Sequence, residues 1–513
     1  MDAPMRDISD KTVIQTSFAI LFCIALGPVF LTPIPAMVDY PNHLARMYIL
    51  AAAGTPDANP YYQTAWALYP NLAMDLVVPL IARLTGVETA TRLFLLISQL
   101  LIVGGALTLE WVVKGRTQIA GFVALMFLYC LPFTWGFVNF EFGIGVALFG
   151  IAAMLWAQET AWPLRLAINV VFVVALFVAH FFALGIYGAT LGIIEVWRAK
   201  DRNAVIADTA IRLVALALPA ALLLVVMVLD AGAIGGEGNA WHVEFKPLWF
   251  FRIFNGYNLP VAALSMFGLG ILGNLLAKRG WLTIMPVGIW LAIGFAILYV
   301  LMPSSLFGTS FVDFRVIAAA AFIMPAFCDV ALPDRTWLFR ALYAVAAITV
   351  ANMLVVYFVW LSYRADYASL IDSFGRIEKG ATVLSGTSGN GDDPPFNSLA
   401  DYPFYYAPTL AVHYAHAFVP NLFAAAGKQP VVVREDMRHL AVPHGGPVPM
   451  SILSAIAAGK TADIVPPYLR RWDRDFQYLY VLGVPAANPL PELLEELTRS
   501  SRFVLYKIRR KAS

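Results

Sequence analysis

Two stretches, TVIQTSFAILFCIALGPVFL (12–31) and DYPNHLAR (39–46), decide how this chain is read. The first carries no charged side chain and matches the roughly 20 residues needed to cross about 30 Å of hydrocarbon. It reads as an anchor and not a cleaved leader, because Asp2, Asp7 and Asp10 oppose a positive n-region and Ile34 spoils a small-x-small cleavage site. The second puts Asp39, Asn42, His43 and Arg46 at the mouth of that span. Pro41 opens a short helix, since its ring fixes φ and is tolerated in a first turn. Asn42 and Arg46, four apart, then share one face of it.

Composition extends the membrane reading to most of the chain. Hydrophobic residues make up 60% and charged residues 13%, with a mean hydropathy of +0.71, where soluble chains carry about 25% charge. Apolar runs fall near 12–31, 90–112, 118–135, 141–157, 163–181, 183–197, 210–229, 258–277, 282–302, 316–332 and 337–361, about eleven spans. The run 71–84 is interrupted by Asp75 and Pro79 and closed by Arg83, so it reads as a helix lying in the interface. Lys114, Arg116, Arg198, Lys200, Arg202, Lys278, Arg279, Arg335 and Arg340 then fall on one side. By the positive-inside rule, residues 32–89 and the tail after Arg364 lie outside. A net charge of +2 without a basic run gives no sign of nucleic acid as a partner. Cys23, Cys130 and Cys328 lie inside apolar runs, too few and too embedded for a disulfide framework or a zinc site.

From 364 to 513 charges return and strand-like segments appear at 382–384, 430–433, 477–481 and 502–508. Helical patterns at 406–418 and 490–498 and a Gly/Asp/Ser/Pro loop at 386–395 lie between them. The fold class is therefore mainly α, a polytopic membrane domain over 1–363 followed by an extracytoplasmic α/β domain over 364–513. No repeat of transporter type is visible.

The polar residues that membrane burial does not explain are the candidate site. Asp39, partly desolvated beside a span, suits a proton acceptor. His43 either binds a phosphate or orients that acid. Arg46 either pairs bidentately with phosphate or snorkels to a lipid head group. In WGFVNFEFG (135–143) Asn139 is a capping candidate. Glu141 is either an acid favoured by the helix dipole or a second carboxylate facing the Asp39 cavity. His180 sits at the outer turn between two spans, where ionisable groups are expensive. His242 belongs to the longest outer loop, beside the aromatic belt at 249–251. Asp313 and Arg315 open the tenth span, and Arg315 either holds a phosphate or pairs with Asp313. His413 and His416, at i and i+3, have a spacing compatible with two metal ligands but lack a third. There is no Walker motif, no G-x-G-x-x-G behind a strand, no H-E-x-x-H and no G-x-S-x-G.

In its first span, loop acid, interface helices, many further spans and outer α/β domain, the chain resembles the GT-C superfamily of integral-membrane glycosyltransferases. In motif the resemblance rests on Asp39-Tyr40-Pro41-Asn42-His43, then on Asn139-Phe140-Glu141 and Arg315. It implies a glycosyltransferase using a polyprenyl-phosphate sugar, with a glycan, lipid or protein acceptor and membrane lipids as its other partners. The place would be a bacterial inner membrane, with the site facing the periplasm. The resemblance gives Asp39 the place of a base or metal ligand, and Asp39 is read as the base. On the residues' own chemistry His43 and Glu141 are the further catalytic candidates, and Asn42, Arg46, Asn139, His180, His242, Asp313 and Arg315 the substrate-binding ones. Asp39 lacks the paired acid of better-marked branches, and W-W-D is absent. A divalent cation, magnesium or manganese, is thus open as a cofactor, its ligands unknown. A lipid-linked-sugar transporter or flippase, or a non-catalytic envelope assembly protein, is the alternative class.

Overall fold

The computed structural model describes residues 10–231, 238–306, 309–389, 402–460 and 465–509. Asp2, Asp7 and residues 390–395 of the expected loop lie outside them. Helices α1 (Asp10–Leu26) and α2 (Pro28–Leu31) form the first apolar run, and α3 (Tyr40–Ala52) and α4 (Ala73–Thr85) occupy the first long loop. There follow α5 (Val87–Lys114), α6 (Ala120–Phe127), α7 (Leu131–Trp135), α8 (Val138–Trp156), α9 (Trp162–Ala179), α10 (Phe181–Asp201) and α11 (Ile206–Ala231). The helical part ends with α12 (Lys246–Arg252), α13 (Leu259–Lys278), α14 (Pro286–Leu301), α15 (Val312–Ile323), α16 (Arg335–Ser362) and α17 (Arg364–Phe374).

Among the described residues, seven helical stretches are long and apolar enough to cross a membrane: those built on α5, α8, α9, α10, α11, α13 and α16. The other expected spans are shorter or broken. The 118–135 run divides into α6 and α7, with Pro132 in the first turn of the second piece. The 316–332 run stays α-helical only to Ile323. It then tightens into a 3₁₀ turn at Met324–Phe327 and a short strand at Cys328–Val330, because Pro325 has no N–H to continue the ladder. Outward faces are apolar: Leu222, Val225 and Leu229 on α11, Leu264 and Ile271 on α13, and Ile293 and Ile297 on α14 are exposed. Such bands are what lipid, and not water, would cover.

The basic flanks gather at one end of the bundle. Lys114 pairs with buried Glu110 at 2.7 Å and also donates to the Cys328 carbonyl. Arg116 pairs with Asp329 at 2.8 Å, and the Arg279 guanidinium lies over the Trp281 and Trp337 rings. Glu110 in turn accepts the N–H groups of Gln118, Ile119 and Ala120, closing the donor-rich start of α6. At the other end Trp135 and Trp249 both meet Phe311 edge-on, and Ala240 bridges Ser305.

The C-terminal region carries a mixed sheet. Its strands are β2 (Val383–Thr387), β4 (Val448–Pro449), β5 (Tyr478–Leu482), β6 (Leu494–Arg499) and β7 (Phe503–Ile508), while β1 (Tyr62–Thr64) and β3 (Val431–Val433) form a separate pair. Spatial order is β6-β7-β5-β2-β4, antiparallel across the first three and parallel across the rest. The 490–498 segment is therefore not the helix its pattern suggests. The α-helix expected over 406–418 covers only α18 (Ala411–Tyr414), preceded by a 3₁₀ turn at Ala407–Leu410. His416 lies beyond it with φ +51°, so His413 and His416 share no helix face.

The antiparallel β1–β3 pair stitches the first long loop to this region. Asn59 donates to the carbonyls of Val412 and Ala417, and Tyr62 donates to Val419. Placing the Asp39 loop and the Lys114 end on opposite faces gives a direct test. In a chain carrying Cys23→Ser, Cys130→Ser and Cys328→Ser, an impermeant maleimide should label exposed Ala58→Cys in intact cells. Asp201→Cys should label only after permeabilisation. Equal labelling of both before permeabilisation would contradict this arrangement.

Candidate functional site

Asp39 is placed by two helix ends. The short helix α7 leaves its last carbonyls without intrahelical donors, as every helix does. Thr134 O and Trp135 O accept the backbone N–H groups of Val38 (3.3 Å) and Asp39 (2.8 Å). Gly136 terminates α7 at φ +104°, and a Cβ there would stand 2.8 Å from the Asp39 Cβ. Only glycine allows both the left-handed turn and this approach. Asp39 is also the N-cap of α3, yet its side chain makes no capping bond. Among the described residues the carboxylate has no hydrogen-bond partner, and part of its surface remains open. Burial lifts it to about 8, with Arg315 and then Arg46 pulling the other way.

His43 lies one turn along α3, and its Nε2 is 3.0 Å from the Gly136 carbonyl. A carbonyl only accepts, so Nε2 carries the hydrogen and Nδ1 is a bare acceptor. Burial, with Arg46 adding to it, lowers the ring to about 3, so His43 is neutral at working pH. Nδ1 is buried and unpartnered.

Arg315 rises from the first turn of α15 into the same space. It is 4% exposed, and its Nε and Nη1 have no hydrogen-bond partner. The guanidinium stands 4.6 Å from the Phe137 ring centre, 5.1 Å from Phe182 and 5.7 Å from Phe140. Asp39, Asp313 and Glu141 all act on it electrostatically. The expected alternative of an Arg315–Asp313 pair is not what forms, because Asp313 is taken by Lys246 at 3.2 Å and by the Ser304 hydroxyl. Glu141, in the first turn of α8, is fully buried. The Cys130 thiol lies 3.4 Å from its Oε1, and Oε2 is unpartnered.

The remaining candidates hold the frame. Arg46 donates to Asp75 at 2.9 Å with both side chains buried, tying α3 to α4. Losing one partner of such a pair costs about 3–5 kcal/mol. With Arg46 committed and His43 neutral, Arg315 stands beside Asp39 without an ion-pair partner among the described residues. Asn42 donates to the Asn421 carbonyl and accepts from the Phe423 N–H. Asn139 makes no N-cap. Its Oδ1 accepts from Met74 N–H and its Nδ2 donates to the Asn71 carbonyl, holding the start of α4. His180 caps α10 by accepting from Phe182 N–H. The His242 ring lies on an exposed turn with Glu244, and only its backbone N–H reaches toward the others, donating to the Ser304 hydroxyl that bonds Asp313. Among the described residues no three His, Cys, Asp or Glu side chains converge to hold a metal ion.

Sequence reading passed over several members. In sequence Asp75 reads only as an interruption of an apolar run, although it is the partner of Arg46. Tyr405 and Tyr406, on the C-terminal side, both feel the Asp39 charge, and Tyr406 stacks edge-on against Phe423. The aromatic run FYY (404–406) was the only signal available.

No family model matches the sequence, and no curated protein matches it. Solved structures do. The crystal structure of ArnT from Cupriavidus metallidurans in the apo state is similar with a TM-score of 0.53 at 15% identity, covering 97% of this chain and 98% of that one. The structure of the same protein bound to undecaprenyl phosphate gives 0.52 at 15% identity over the same shares.

An Asp39 that holds its proton more tightly when folded makes stability fall as pH rises from about 4 to about 8. Asp39→Asn removes that dependence. The melting temperature of the variant minus that of the wild type should climb between pH 5 and pH 9, whereas a flat difference would contradict the burial of this acid. The match runs over nearly the whole of both chains, and this chain has an ArnT-like polytopic membrane fold.

Proposed function

We propose that this protein is a membrane glycosyltransferase of the inner bacterial membrane. It would move a sugar from a polyprenyl-phosphate donor to a hydroxyl of a lipid, glycan or protein acceptor. The observation that carries this reading is the set of unmatched buried polar atoms Arg315 Nε and Nη1, Glu141 Oε2 and His43 Nδ1 around the part-open Asp39 carboxylate. Buried polar groups are normally paired, so such a set is the negative image of a ligand. That ligand must bring an anion for the guanidinium and hydroxyls for the acceptors. A phosphate joined to a sugar has both. The undecaprenyl phosphate held by ArnT supports a lipid carrier for it.

The chemistry follows from charge placement. Asp39 takes the proton of the acceptor hydroxyl, whose oxygen bonds to the anomeric carbon as the bond from that carbon to the phosphate oxygen breaks. Attack from the face opposite the leaving group inverts the centre. The departing phosphate gains charge beside Arg315, whose planar fork suits two phosphate oxygens. A basicity near 8 makes Asp39 a better acceptor than a solvated carboxylate. His43 Nδ1 and Glu141 accept from sugar hydroxyls and fix the ring. No step is assigned to a cation, because no three His, Cys, Asp or Glu side chains converge among the described residues.

Purified protein supplied with a polyprenyl-phosphate sugar and an acceptor tests this. Asp39→Asn should lower turnover by about 10²–10⁴-fold while the protein still inserts. Arg315→Lys should also lose activity, since a point charge does not replace a bidentate fork. Glu141→Gln should lose less, mainly in donor affinity. Turnover with a soluble nucleotide sugar alone, or near-normal turnover by Asp39→Asn, would overturn the reading.

A further inference from the structure

A second charged cavity lies at the far ends of α8, α9, α10 and α11 from Asp39. It has a volume of about 60 Å³ and is lined by Gln158, Arg165, Glu195, Arg198, Arg202 and Arg212, with Glu159 at its edge. Four guanidinium groups face two carboxylates, which leaves two positive charges unmatched.

The cavity floor is built, not solvated. Arg165 is 7% and Glu195 6% exposed, paired at 2.8 Å, and the Arg165 Nε is buried without a partner. Arg198 leans on the same Glu195 at 3.1 Å and donates to the Gln158 side chain. One carboxylate thus serves two arginines. At the rim the pair from Arg202 to Glu159 is long, 3.5 Å, and mostly exposed. Arg212 makes no ion pair among the described residues. Orientation signals alone need only solvated charges, so they do not explain an arginine buried with an open Nε. The depth is also marked: Trp162 lies 5.3 Å from Arg165, exposed Trp156 closes α8, and Trp290 lies 5.0 Å from Lys200. Tryptophan sits at the head-group level of a bilayer.

We propose that this cavity binds an anionic phosphate ester, its oxygens held by Arg198, Arg202 and Arg212 above the Arg165–Glu195 floor. Arginine forks between spans match phosphate geometry, and basic pockets of this kind take anionic head groups. The carrier is a phospholipid of the facing leaflet or a soluble phosphate monoester. The site is independent of the transfer proposed for Asp39.

Native mass spectrometry of the full chain tests it, using phosphatidylglycerol, phosphatidylcholine and glycerol 1-phosphate as probes. Wild type should retain phosphatidylglycerol over phosphatidylcholine, and Arg202→Gln/Arg212→Gln should weaken that retention about tenfold or more. Arg212→Gln alone, which breaks no ion pair or hydrogen bond among the described residues, should weaken it too and guards against misfolding of the double variant. Displacement of the lipid by millimolar glycerol 1-phosphate would name the soluble ester as sufficient. Its failure to compete would name the lipid. Equal retention by wild type and both variants, or no preference over phosphatidylcholine, would overturn the proposal.

Discussion

A guanidinium beside a hydrocarbon layer is normally matched by hydrogen-bond partners, and the Nε and Nη1 of Arg315 have none among the described residues. The membrane core offers no water to absorb unpaired polar groups. Several other buried cations each have an acid partner. Arg46 has Asp75, Lys114 has Glu110, Lys246 has Asp313 and Arg165 has Glu195, each pair buried and within 3.2 Å. Against that background the open donors of Arg315 stand out, caged by three phenylalanines and faced by carboxylates that do not reach it as ion pairs. The cage keeps the charge in a low-dielectric place, where its pull on an incoming anion is strongest.

The surrounding frame explains why those groups stay apart. Asp39 is held through its backbone by the end of α7, so its carboxylate is not spent on capping α3. Asn42 and Asn139 are spent on structure, one locking α3 to the C-terminal region and the other fixing α4. The site thus depends on chain segments hundreds of residues apart, joined by the β1–β3 pair and by Asn59 and Tyr62. The C-terminal region is a wall of the site, and it brings Tyr405 and Tyr406 toward Asp39.

What was legible in the sequence was what membrane burial writes locally. Apolar length and basic flanks located the helices and their shared end, because each signal lies within one segment. Asp39 was legible because a carboxylate next to a span is rare. Pairings were not legible: Arg46 finds its partner 29 residues on and Asn42 finds its own 379 and 381 residues on. Nothing in DYPNHLAR says which of its polar groups are spent. The 490–498 segment shows the opposite failure, a clear signal with the wrong meaning. Leu490, Leu493, Leu494 and Leu497 repeat at helical spacing, yet β6 pairs with β7 and absorbs the mismatch in an irregularity between Glu496 and Thr498. Sheet pairing overrides a short helical pattern when a partner strand is already in place.

Arg315 as the seat of an anion carried by a lipid is the point on which the proposed transfer turns. Direct binding of undecaprenyl phosphate to purified protein, measured without any turnover, addresses that most closely. Saturable binding by wild type and by Asp39→Asn, with about tenfold or greater weakening in Arg315→Gln, is the predicted result. Equal binding by wild type and Arg315→Gln would contradict it.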